Sequence, residues 1–402
     1  MTAGTGGRPE GSKALVVLLV AVTALAPASL QIFIPALPAI QASFGSSAGL
    51  TQLVLSLSIL ANAIATLAYG PLSDRYGRRP VMIAGMLIFI VGSTLCVIAP
   101  SIGFLIGARI LQSAGAAAGM VLARAIIRDL YDREQAASAI AYLTMAMVVA
   151  PMISPLFGAL LIDQFGWRAI FIAMTILGVT LIWLVWLGLR ETRPSKAAGE
   201  ASTALLRGAQ QLLGQATFVR YMLQSTFAIS TFFAFISGAA YFLIDVLDRS
   251  ATEYGLLFMV VSGSFMVGNL TSARLSRRVG IDRLIGIGNI LALLGTIFTA
   301  LLMVAGIWTP WALFGPMMIT GFANGLSIAN AQAGAVSVNP NLAGTASGLA
   351  GFAQMFVAAT VSQAVGFLQN GTPYPMVGLM TGCAFLSLAC FVLIGKGSDK
   401  RA

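Results

Sequence analysis

Gly70-Pro71-Leu72-Ser73-Asp74-Arg75-Tyr76-Gly77-Arg78-Arg79-Pro80 lies between two long apolar runs. The runs before and after it, 50–72 and 80–100, are each long enough to cross a bilayer as a helix. The stretch itself combines turn-forming Gly and Pro with one acid and three arginines. It reads as a tight charged loop on one side of a membrane. Outward from it the same alternation recurs. Apolar runs at 14–38, 50–72, 80–100, 104–127, 137–162, 169–189, 221–245, 253–273, 284–306, 311–335, 345–369 and 374–395 make twelve spans. Backbone groups in hydrocarbon must be satisfied within their own segment, and the alternating pattern of barrel strands is absent. The expected fold class is therefore an all-α membrane protein.

Composition agrees. Of 402 residues, 58% are hydrophobic and 9% charged, against about 25% charged in a soluble globular chain. A soluble enzyme, a disordered chain and a disulfide-stapled secreted domain are excluded, and no catalytic constellation points to an enzyme. The net charge of +10 would suggest nucleic acid in a soluble domain, but here the basic residues sit between spans, so no nucleic-acid partner is expected. Cys96, Cys383 and Cys390 fall inside apolar runs without C-x-x-C spacing and read as packing residues. The chain has no histidine, which removes the usual near-neutral proton switch and most metal sites. No cofactor and no metal are expected.

Lys and Arg set the expected orientation. With the N-terminus inside, 19 fall in inner segments, and only Arg168 and Arg249 in outer loops. That bias puts both termini in the cytoplasm. The first span has a signal-peptide-like Ala24-Leu25-Ala26, but the apolar run continues to Ile40 and Pro27 would follow the cut, so a retained helix is expected. The longest hydrophilic stretch divides the chain into 1–189, a linker at 190–220, and 221–402. The halves repeat weakly: Thr51-Gln52 and Thr252-Glu253, Gly70 and Gly268, and Arg78-Arg79 and Arg277-Arg278 recur at offsets of 198 to 201. Two six-helix units with a substrate site between them near the midplane are the signature of a parallel-repeat transporter.

The 70–80 stretch resembles the G-x-L-a-D-r-x-G-r-r motif of the major facilitator superfamily. Arg109-Ile110-Leu111-Gln112 with Gly115 and Gly119 resembles that superfamily's R-x-x-q-G pattern. Ala150-Pro151-Met152-Ile153-Ser154-Pro155 with Gly158 resembles its antiporter motif. Together they resemble drug:proton antiporters of twelve helices. Phe33-Ile34-Pro35-Ala36-Leu37-Pro38, Arg124 through Arg128-Asp129-Leu130-Tyr131, Trp167 and Ala343-Gly344-Thr345-Ala346-Ser347 resemble the Bcr/CflA group of multidrug efflux transporters. The resemblance implies two six-helix bundles and secondary active efflux of small amphipathic or aromatic compounds by alternating access. It also implies a monomer in the bacterial inner membrane, with protons as coupling ions. A proton-independent facilitator or a metabolite importer on the same fold is the alternative.

Arg109 starts well inside the fourth span, where a buried charge normally faces a cavity or a partner. The plainer reading is snorkelling to the outer surface. The resemblance gives Arg109 a proton-coupling role and makes the 70–80 motif, with Asp74 and Arg78, a latch between the halves. Asp74 can also face a helix N-terminus. Arg124 either snorkels inward or forms a gate on the cytoplasmic side. Pro151, Pro155 and Gly158 let helices bend and approach closely. Cavity-lining candidates for substrate are Gln31, Asn62, Gln112, Phe227, Phe232, Tyr241, Asn330 and Gln354, with Gln224, Asn324 and Gln332 beside them. One departure stands out: where the resemblance places an acid on the first helix, this chain has Gln31, which cannot titrate.

Overall fold

The computed structural model describes residues 13–192 and 201–394. The basic tails with Arg8, Lys396, Lys400 and Arg401, and linker residues Arg193 and Lys196, lie outside the described residues. Twelve crossings are present among those described. The first is α1 (Lys13–Gln31), interrupted at Pro35 by a short turn, then α2 (Leu37–Phe44). The others of the first bundle are α3 (Ala48–Tyr76), α4 (Arg78–Val97), α5 (Ile102–Leu130), α6 (Arg133–Phe165) and α7 (Arg168–Gly188). Helix α8 (Ala201–Leu213) lies in the linker. The second bundle holds α9 (Ala216–Tyr241), α10 (Ala251–Val279), α11 (Ile281–Val304), α12 (Pro310–Ser337), α13 (Ala343–Leu368) and α14 (Tyr374–Leu393).

The expected loop at 70–80 is not a loop. Gly70 through Tyr76 continue α3, with Pro71 inside the helix, and α4 starts at Arg78. Gly77 alone turns the chain, at φ 100°. A side chain there would be strained by that φ and would also meet the carboxylate of Glu191. Charge ended the apolar run in sequence, but it does not end a helix whose charged turn reaches water.

The same construction recurs in the second bundle. Ser47 and Ser250 cap α3 and α10, their hydroxyls accepting from Leu50 N at 3.3 Å and Glu253 N at 3.1 Å. Gly77 and Gly280 end those helices with φ of 100° and 87°. Both pairs are 203 positions apart. The sequence offsets of 198 to 201 were therefore short by a few residues, and Arg277-Arg278 correspond to Asp74-Arg75 rather than to Arg78-Arg79.

Within the first bundle, α5 is wrapped by α1, α3 and α4, and α1 runs between α5 and α6. At Gly158 on α6, a side chain would collide with the Ile32 carbonyl of the first crossing, so glycine permits that approach. In the second bundle, α12 packs on α10 and α11, and α9 on α13 and α14. Leu212 of α8 joins Phe218, Tyr221 and Ile285 in a core at one end of this bundle, so part of the hydrophilic linker is a helix docked on the second bundle.

The bundles meet along two seams, α3 with α13 and α6 with α10. The side-chain contacts across both seams lie toward the starts of α3 and α10, which is the face opposite the linker and is called the far face below. Toward the linker face both helices of the α3–α13 seam carry glycines with free space beside them. A side chain built at Gly70 on α3, or at Gly344, Gly348 or Gly351 on α13, would find only open space.

Candidate functional site

Arg109 lies on α5, whose first turn is capped by Ser101 accepting from Phe104 N at 3.3 Å. It is 1% exposed, so it does not snorkel to either surface. Its guanidinium lies 3.8 Å over the Phe33 ring and 5.9 Å from that of Phe171. Nη1 donates to the Ser29 carbonyl at 3.2 Å and to Gln112 Oε1. Gln112 Nε2 donates to Ser93 Oγ at 2.8 Å, and Ser93 donates to the Phe89 carbonyl at 2.7 Å. Arg109 Nε and Nη2 are buried without a hydrogen-bond partner among the described residues. The site is thus a guanidinium held by one carbonyl, an amide and two rings at the break in the first crossing, with no carboxylate paired to it among the described residues.

Gln31 is next to this break and 7% exposed, with a buried Oε1 that has no partner among the described residues. Asn62 donates to the Ser113 carbonyl at 3.4 Å. Gln112, expected against substrate, is fully buried and spent on Arg109 and Ser93. Asn330 is likewise spent, on Ser272 Oγ at 2.8 Å and the Leu326 carbonyl at 2.7 Å. Gln354 donates to Ser225 Oγ at 3.0 Å and accepts from exposed Gln332 at 3.3 Å. Asn324 donates to the Ala228 carbonyl at 3.4 Å. Gln224 is buried among α9, α11 and α14, donating to Asn289 Oδ1 at 2.8 Å, so it faces away from the space between the bundles. These amides tie helices within a bundle, because a buried amide must be hydrogen-bonded wherever it lies. Phe227 remains half-buried. Phe232, also half-buried, packs within the second bundle, 6.0 Å from Phe233 and 5.9 Å from Phe258. Tyr241 is buried, and its hydroxyl has no partner among the described residues.

On the linker face, Arg78 ties the motif together. It donates to Asp74 at 2.6 Å, Asp129 at 3.0 Å and Ser73 Oγ at 2.6 Å. Among the described residues Asp74 pairs with Arg78 and accepts no backbone N–H at a helix start. Glu191 does: its carboxylate accepts from Arg78 N at 2.8 Å and Arg79 N at 3.2 Å at the start of α4. The Asp74 side chain stays 54% exposed. Sequence reasoning found the Asp–Arg network but missed Glu191, which lies beyond four further crossings.

Arg124 is half-buried, also on α5 but nearer the linker face, with Nη2 3.2 Å from Met147 Sδ on α6. Pro151 and Pro155 are both inside α6, yet that helix runs unbroken. Each proline withholds one helical N–H, and the Ser154 hydroxyl donates to the Ala150 carbonyl beside them.

The far-face seams use residues that the sequence offered at most as repeat markers (Gln52 and Thr252), not as site candidates. Gln52 Nε2 donates to Ser362 Oγ at 2.8 Å, and Ser362 shares a hydrogen bond with Ser237 at 2.8 Å. Ser56 donates to Gln363 at 2.6 Å, and Gln363 donates to the Gly49 carbonyl at 2.8 Å. At the second seam Asp163 Oδ2 accepts from Thr252 N at 3.1 Å and Thr252 Oγ1 at 2.5 Å, adding a carboxylate at the start of α10.

The family profile described as Major Facilitator Superfamily matches residues 19–362. Multidrug resistance protein D of Escherichia coli (strain K12) is 30% identical over 94% of this chain and 95% of its own. The uncharacterized MFS-type transporter YdgK of Bacillus subtilis (strain 168) is 31% identical over 96% and 97%. Among solved structures, a bacterial homolog of the human lysosomal transporter Spinster, in an inward-facing and unoccupied conformation, superposes with a TM-score of 0.74. It is 18% identical, and the match covers 96% of this chain and 95% of that one.

Proposed function

Because the chain belongs to the Major Facilitator Superfamily, we propose that it is a secondary active exporter of small amphipathic or aromatic compounds, working by alternating access. The observation that carries this reading is the asymmetry of the seams. Polar contacts join the bundles at the far face, while glycines of α3 and α13 toward the linker face have open space beside them. A relative of 30% identity named as a multidrug resistance protein supports efflux.

In this reading the linker face is cytoplasmic, as the Lys and Arg bias indicates. The protein works as a monomer in a bacterial inner membrane, and the moving units are 1–189 and 221–402, joined by 190–220. Rocking closes the linker face around Asp74 and Arg78 while the far-face seams part. Pro151, Pro155 and Gly158 supply the bending and close packing this needs on α6. Arg109 couples the substrate site to the proton. Gln31, Asn62, Phe227, Phe232 and Tyr241 contribute contacts from around the space between the bundles, with Gln112, Asn330 and Gln354 fixing the helices that carry them.

A second reading rests on Gln31: where the resemblance to drug:proton antiporters places an acid, this chain has an amide that cannot titrate, which favours a proton-independent facilitator. Transport of a drug panel in proteoliposomes, with and without an imposed pH gradient, tests both. Efflux-direction transport driven by the gradient supports the coupled exporter, and equal transport without it supports the facilitator. No transport of any panel member overturns both.

A further inference from the structure

Every Asp and Glu among the described residues lies in a connection or within about three residues of a helix end. Two guanidinium groups, by contrast, lie deeper and are shielded from solvent: Arg109 and Arg124, both on α5. They are separated along the helix by about 22 Å. Arg109 is closed in by Phe33, Phe171 and the Ser29 carbonyl. Arg124 is on the half of α5 toward the open linker face, still half-buried.

The partners of Arg124 are poor for a cation. Nη2 reaches the thioether of Met147, a weak acceptor, at 3.2 Å. Nε is buried with no hydrogen-bond partner among the described residues. One turn along, Arg128 donates to the Arg124 carbonyl at 3.4 Å, so the charged neighbour on its own helix carries the same sign. The acids nearby are committed elsewhere: Asp129 to Arg78, and Asp74 to Arg78. A guanidinium removed from water without a counter-charge is costly, and its planar fork of donors matches a carboxylate or sulfonate.

Resting on the efflux reading above, we propose that the transported compounds are amphipathic anions, and that Arg124 is the counter-charge for their carboxylate or sulfonate group. The same chemistry disfavours amphipathic cations, because no described acid lies at depth to receive them. An anionic lipid headgroup offers the same chemistry from a second source, and the test separates the two.

Fluorescein and rhodamine 6G share a xanthene core and carry opposite charge at neutral pH. Each is titrated against the purified full chain, followed by fluorescence anisotropy, and then assayed for transport in vesicles. Fluorescein should bind at least about tenfold more tightly than rhodamine 6G, and Arg124→Gln should remove about that factor for fluorescein while leaving rhodamine 6G within about twofold. Arg124→Lys should fall between. If Arg124→Gln does not fold, the preference of the native chain and the partial loss in Arg124→Lys carry the test. Tighter binding and export of rhodamine 6G would overturn the charge assignment and leave efflux standing. Neither dye being bound or moved would overturn both. An Arg124-dependent rise in melting temperature with phosphatidylglycerol, with fluorescein binding indifferent to Arg124, would assign the group to lipid and overturn the proposal.

Discussion

Gln52 and Ser362 are 310 positions apart in sequence, yet the amide of one donates to the hydroxyl of the other at 2.8 Å. That hydrogen bond joins α3 of the first bundle to α13 of the second. Both residues are fully buried. Ser362→Ala removes the acceptor and leaves Gln52 Nε2 unpaired in a buried position, a cost of about 1–3 kcal/mol borne by the state with the far face closed. A cysteine at Ser237, in a background lacking native cysteines, should then label faster with an impermeant maleimide applied from the far face. An unchanged labelling rate would mean that the bond does not hold this seam.

Arg109→Ala should abolish transport, a loss of at least about tenfold, while the protein still inserts. The buried guanidinium joins Ser29, Gln112 and Phe33 across α1 and α5. Arg109→Lys should fail too, because an ammonium cannot stack on Phe33 as a plane while donating to two acceptors. Transport measured beside melting temperature in detergent separates a lost function from a lost fold. Near-normal transport by Arg109→Ala would contradict the role given to this residue.

Asp74→Asn should slow turnover about 3–10-fold and leave ligand affinity within about twofold. The Asp74 side chain is 54% exposed in its pair with Arg78, so its contribution to stability is below about 1 kcal/mol. Its effect should appear in the balance between conformations. Affinity falling in parallel with transport rate, measured in detergent, would place Asp74 in the ligand site instead.

The twelve crossings were legible because each is a long apolar run, and a bilayer demands little more than length and apolarity. The ends of α3 and α10 were not. Ser73 through Tyr76, and Arg274 through Val279, are polar turns that leave hydrocarbon but remain helical. Arg109 was legible as a charge at depth, but its partners Phe33 and Phe171 look like any other apolar residues of a span. Polar residues such as Gln224 and Asn330 stood out in the sequence as cavity candidates, although a span's polar residue serves packing or ligand according to the face it occupies. No hydrophobic period marks that face when both sides of the helix are apolar. The seam pairs Gln52–Ser362 and Ser56–Gln363 carry no local signal, because they join segments from opposite halves of the chain.

Gln31 has no titration to offer. Ligand affinity of the native chain should stay within about twofold between about pH 5 and 8. Gln31→Asp should introduce a pH dependence. The new carboxyl can take up and release a proton, which the amide cannot. A steep native dependence that disappears in Asp245→Asn, at an exposed acid in the turn directly after α9, would move the proton site to the second bundle.

Asp163 and Thr252 provide the most direct test of alternating access, because they meet at the exposed end of the α6–α10 seam. Cysteines at both positions, in a background with Cys96, Cys383 and Cys390 replaced by alanine, can be joined by a short reducible bis-methanethiosulfonate linker. Drug transport in proteoliposomes is measured before linkage, after linkage and after reduction. Linkage holds the far face closed, so transport should fall to background and return on reduction, while ligand binding from the linker face persists. Full transport by the linked protein would contradict alternating access by parting of these seams.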